Sequence, residues 1–157
     1  MSERLRGTSR RDAGFTLIEL MIVVVIVAVL LLVALPMYQD QVIRTYRTTA
    51  QSDLMGYAQA MEKEYALNFS YAGAGSRQVY PDASPIDEGT KHYDLQVFEL
   101  TTTSFTLRAV PRSDSTNAQD GTLYIDHLGQ RKWDRENDGD PNDPEDRSWD
   151  PYYDPDA

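Results

Sequence analysis

Two stretches of this sequence place reactive residue types at spacings that imply chemistry. The first surrounds Glu19, the one ionisable side chain in residues 15–35, where 19 of 21 residues are apolar. A carboxylate at that position costs about 3 kcal/mol or more if it is left unpaired in lipid. Four residues earlier, Phe15 follows Gly14, a small residue closing a leader that holds Arg4, Arg6, Arg10 and Arg11 against Glu3 and Asp12. A cut between Gly14 and Phe15 at the cytoplasmic face would leave an ammonium on Phe15. Glu19 lies about one helical turn from its own terminus, so axially staggered helices are better placed to bring it to the ammonium of a neighbour. Such a desolvated pair fixes register, because a misaligned neighbour leaves two buried charges unsatisfied. The simpler alternative is a glutamate that snorkels to the interface or stays protonated.

The second stretch is the acidic C-terminus. Residues 134–157 hold ten acidic residues, two arginines and four prolines, a composition expected of a solvated, disordered end. Within it, Asp134, Glu136, Asp138, Gly139, Asp140, Asn142 and Glu145 fall at positions 1, 3, 5, 6, 7, 9 and 12 of a twelve-residue stretch. That spacing resembles an EF-hand calcium loop: hard oxygen ligands on alternate residues, a glycine at the sharp turn and a final bidentate glutamate. The departures are Glu136 at the third position, Pro141 at the eighth, and no flanking amphipathic helix. Trp133 and Trp149 bracket the loop and are expected to cover the edge of a sheet.

Enzyme chemistry finds little support. Cysteine is absent, which excludes a disulfide framework, thiolate zinc sites and cysteine nucleophiles. His92 and His127 sit in strand-like contexts without a paired nucleophile or ligand spacing. No phosphate-cradling glycine loop and no G-x-S-x-G motif occurs.

These residues must be carried by a membrane element and one small domain. As a helix, residues 15–35 span about 31 Å, enough to cross a hydrocarbon core of about 30 Å. The basic leader keeps the N-terminal end in the cytoplasm, so everything after residue 35 lies on the far side. Pro36 and Met37 follow the run with no A-x-A pattern, so the apolar helix is expected to be retained. Pro36 should kink the helix or loosen one turn. Residues 36–69 read as its amphipathic continuation, with Ala50, Leu54, Tyr57, Ala58, Met61 and Tyr65 on one face and Arg44, Arg47, Asp53, Glu62 and Lys63 on the other. Residues 70–90 read as a glycine-, serine- and proline-rich loop, and residues 91–133 as three alternating strands, HYDLQVFEL, SFTLRAVPR and GTLYIDHLGQRKW. The fold class is α+β: a long N-terminal transmembrane and amphipathic helix packed on a small antiparallel sheet.

The segment GFTLIELMIVVVIVAVLLLVALPMYQDQVIR resembles the N-terminus of type IV prepilins and their pseudopilin relatives. By that resemblance a prepilin peptidase cleaves between Gly14 and Phe15 and methylates the Phe15 amine. Glu19 then guides docking of the subunit into a filament, and Pro36 marks the break beyond the apolar run. DGTLYIDHLGQRKW resembles a segment of a minor-pilin group that shares the type IV pilin fold, a tyrosine after the proline (Tyr38) and arginines in the helix (Arg44, Arg47). That group commonly closes its C-terminal region with a disulfide, which this chain cannot form; calcium bound by the acidic loop is the candidate replacement. The implied function is a structural minor pilin of a type IV pilus, and the alternative is a pseudopilin of a type II secretion system. Implied partners are other pilin subunits, the peptidase, an inner-membrane assembly platform and the bilayer before assembly. The implied route runs from a bacterial inner-membrane precursor with a periplasmic C-terminal domain to an extracellular filament. The minor-pilin group includes DNA-uptake receptors. Without its leader, however, the chain has 11 basic and 23 acidic residues, a net charge of −12, and nucleic acid is therefore read as an unlikely partner.

Overall fold

The computed structural model describes residues 15–87, 89–140 and 148–150. Gly14, Asn142 and Glu145 lie outside them. The chain divides into two compact units, Met1–Gln39 and Asp40–Ala157.

In the first unit the helix α1 (Leu17–Asn68) begins, and it continues without interruption through Pro36 into the second. Proline lacks the N–H that would bond the carbonyl of Leu32, yet the helical path is kept. The apolar part of α1 is long and apolar enough to cross a membrane, and none of its side chains is buried within the chain.

The second unit, the head, contains the remainder of α1 and a five-stranded antiparallel meander. Its strands are β1 (Ala83–Ser84), β2 (Tyr93–Leu100), β3 (Phe105–Pro111), β4 (Thr122–Asp126) and β5 (Arg131–Asp134), lying side by side in that order. Alternation along β2 and β3 sends Tyr93, Leu95, Phe105, Leu107 and Ala109 inward. They meet Ala50, Leu54, Tyr57 and Met61 of the helix, with Leu123, Ile125 and Trp133 completing one core. The expected apolar face of the helix is therefore the one that packs.

Two expectations need correction. The third expected strand is a hairpin of β4 and β5, because the Asp126 carboxylate accepts the N–H groups of Leu128 and Gln130, each at 2.9 Å, and Gly129 turns with φ +76°. A further short strand, β1, forms inside the loop and pairs with β2. Among the described residues the meander thus has five strands rather than three. Arg47 and Asp53, assigned to the solvent face of the helix, both turn inward. Asp53 is buried and accepts hydrogen bonds from Ser84 Oγ at 2.6 Å and the Ile86 N–H at 3.2 Å, tying the loop to the helix. Arg44, Glu62 and Lys63 are exposed as expected.

The sheet closes at β5 without a disulfide. The Trp149 indole N–H donates to the Lys132 carbonyl at 2.9 Å, and Arg135 donates to the Asp150 carbonyl, so the tail is bonded to the edge strand. Trp149 covers that edge as expected. Trp133 instead lies in the core, its N–H donated to the Asp120 carbonyl at 2.7 Å. Gly121 (φ +83°) lets the chain pass this point, since a Cβ there would run into the Asp134 carbonyl oxygen.

Candidate functional site

Two of the residues expected to serve processing and assembly, Phe15 and Glu19, lie at the start of α1. Phe15 is exposed, and Glu19 stands in the first helical turn, also exposed. Thr16 caps the helix: its Oγ1 accepts the Glu19 N–H at 3.2 Å. Threonine and glutamate three residues apart have the spacing of a capping box. A carboxylate in a first turn also faces the positive end of the helix dipole, which lowers the cost of its charge. Thr16 is absent from the sequence-based site, although the T-x-x-E spacing was there to mark it. Pro36 lies well along the same helix, and the compact head begins a few residues beyond it.

A second cluster fixes the irregular connection between β3 and β4 to the helix. Arg47 grips Asp120 with two donors, Nε at 2.8 Å to Oδ2 and one terminal nitrogen to Oδ1, and the Tyr93 hydroxyl donates to the same carboxylate. The pair is largely withdrawn from water, with side-chain exposures of 14% and 4%. The Arg47 guanidinium also lies 3.8 Å from the centre of the Trp133 ring, which carries Arg135 at 4.8 Å. Burial, reinforced by the Asp120 carboxylate, raises the Tyr93 pKa and keeps the phenol protonated. Beside it, His92 stacks on Tyr46 with ring centres 3.5 Å apart, and its Nδ1 lies 2.6 Å from Ser115 Oγ. The Ser115 hydroxyl also bonds the Asn117 side-chain amide at 2.5 Å. Burial lowers the His92 pKa, and the nearby Asp114 opposes that shift.

The acidic segment folds into a turn at its start. Asp134 ends β5 with its side chain buried; it accepts the N–H of Asp138 at 3.2 Å and of Gly139 at 2.9 Å. Asp138 in turn accepts the Asp140 N–H at 2.8 Å, and Gly139 has φ +86°. Glu136, Asp138 and Asp140 are exposed. Among the described residues, no three acidic, histidine or cysteine side chains converge as metal ligands.

Comparison with known proteins places these features. Residues 36–123, more than half of the chain, match the family described as type IV minor pilin ComP, DNA uptake sequence receptor. Residues 9–35 match the prokaryotic N-terminal methylation motif. A fimbrial protein of Pseudomonas aeruginosa is 33% identical over 116 residues, covering 74% of this chain and 67% of the relative. The type IV major pilin protein PilE1 of Neisseria gonorrhoeae is 34% identical over 109 residues, 68% of this chain and 47% of that protein. The crystal structure of the Neisseria meningitidis non-core minor pilin PilV shares the fold, with a TM-score of 0.52 at 16% identity, covering 65% of this chain and 96% of that one. With a match to the methylation motif over residues 9–35, and a long helix carrying an antiparallel meander, this chain belongs to the type IV minor pilins.

Proposed function

We propose that this minor pilin enters the inner membrane as a precursor with its head in the periplasm. A prepilin peptidase trims it after Gly14 and methylates Phe15, and an assembly platform passes it to the filament. Its role in this reading is structural, without catalytic activity. The observation that carries it is the apolar helix, with no side chain of the membrane-length window buried within the chain, beginning inside the stretch that matches the methylation motif. Such a surface needs lipid before assembly and neighbouring helices afterwards. Surface fibres sheared from wild-type and deletion strains test it: the mature chain is expected in the fibres. Its confinement to the envelope, with exoprotein release failing on deletion, would instead identify a secretion pseudopilin.

A second reading, capture of DNA, is favoured by the family match over residues 36–123. That match is at odds with setting nucleic acid aside on net charge, because a local surface and not the sum meets the phosphates. Arg108 is a suitable group. Its guanidinium is held by the neutral Gln96 amide at 2.8 and 3.0 Å and lies 5.1 Å from the centre of the Phe98 ring. Saturable binding of labelled duplex at low salt is expected, with Arg108→Ala reducing the salt slope by about 1. No binding at low salt removes this reading.

Calcium in the acidic segment is proposed from ligand spacing. Glu136, Asp138 and Asp140 offer the hard oxygens that calcium takes, whereas Asp134 is already committed to two backbone amides. A calcium-competed terbium luminescence signal sensitised by Trp133 is expected, and its absence at millimolar calcium rejects the proposal.

A further inference from the structure

The far end of α1 carries an apolar tip that the fold leaves without cover. Leu67 is 68% exposed and Phe69 is 82% exposed, on either side of Asn68, the last residue of the helix. Phe69 adopts φ +52°, and its N–H returns to the Tyr65 carbonyl at 2.7 Å. This is the left-handed helix cap that glycine or asparagine ordinarily fills, and a residue with a Cβ is strained there. A large aromatic side chain, held in an unfavourable backbone conformation and pointing into water, calls for a role outside the packing of the head.

Asn68 and Phe69, with Ser70 after them, form an N-x-S acceptor sequence on the surface of a chain whose head is exported in the reading above. We propose that Asn68 is a glycan attachment site and that the first sugar lies over Phe69 and Leu67. The transfer forms a bond from Asn68 Nδ2 to the anomeric carbon of a lipid-linked pyrophosphoryl oligosaccharide. The carbon–oxygen bond to pyrophosphate breaks, the electron pair leaves with the phosphate, and one Nδ2 proton is lost to base.

The local hydrogen bonds tolerate this change. Nδ2 donates to the Glu64 carbonyl at 3.1 Å and to the Glu64 carboxylate at 2.8 Å. The glycosylated amide keeps one proton, enough for the carbonyl bond that caps the helix. The carboxylate that loses its donor retains Arg77 at 2.8 Å. The apolar face of a pyranose would then stack on the Phe69 ring and remove it from water, which gives a reason for an aromatic residue at a strained position.

The test is mass spectrometry of the tryptic peptide spanning residues 64–77, from full-length protein purified from the organism that makes it. The expected result is a carbohydrate mass localised to Asn68, lost in Asn68→Gln and Ser70→Ala and retained in Ser70→Thr. An unmodified Asn68 in the wild-type peptide overturns the proposal, as does carbohydrate that persists in Asn68→Gln. The wild-type measurement stands whether or not the variants fold; it rests on the exported head of the filament reading, which recovery of the same chain from sheared fibres scores separately, and it is independent of the DNA reading.

Discussion

Asp120 joins more of the head than its place in an irregular connection suggests. Its carboxylate satisfies Arg47 and Tyr93, and its carbonyl satisfies Trp133, so one residue ties the helix, β2 and β5 together. Removing one partner of such a buried pair leaves the other charge uncompensated. Asp120→Ala is expected to destabilise the head by about 3 kcal/mol or more in denaturant unfolding. His92 sets a pH dependence. Its folded pKa is lowered by burial, so as pH falls through the ordinary value of 6.5 the unfolded chain takes up a proton that the folded chain resists. Stability should fall as the pH drops through about 6.5 and below, and His92→Gln should flatten that part of the profile measured by thermal unfolding. Neither interaction was visible in the sequence. Periodicity sorts Arg47 and Asp53 by polarity onto the solvent face, whereas their burial depends on partners elsewhere in the chain; Asp120 lies 73 residues from Arg47. Glu19, by contrast, stands out locally as a lone charge in an apolar run.

At the scale of elements, the turns proved harder to read than the periodic segments. Ala50, Leu54, Tyr57 and Met61 recur at helical spacing and do form the buried face, and the alternation of β2 and β3 lies where expected. The segment GTLYIDHLGQRKW reads as one strand by polarity, but its aspartate and glycine build a turn in the middle. β1 is two residues long and has no period to detect; pairing with β2 defines it. The helix terminus offers a direct test of local strain. Phe69 is exposed and left-handed, so Phe69→Gly removes a backbone penalty at little packing cost. The substitution should stabilise unglycosylated recombinant protein by about 1 kcal/mol, seen as a rise of a few degrees in Tm. An unchanged or lower Tm would mean that the ring stabilises the folded head.

The whole molecule divides its apolar residues between two uses. In the head they form one core shared by the helix and the sheet, with the edge at β5 covered by Trp149 in place of a disulfide. Along residues 15–35 they face outward, where lipid and then neighbouring subunits must cover them. In the proposed assembly Glu19 is the charge that would make this second use specific, and Thr16 holds the turn in which it stands. The most direct test compares wild type and Glu19→Ala for processing and for presence in sheared fibres, in a strain expressing the other filament subunits. The expected result is wild-type protein in the fibres beginning at methylated Phe15, and a Glu19→Ala protein cleaved normally but retained in the membrane. Glu19→Ala subunits entering fibres at the wild-type level would contradict assembly guided by that carboxylate.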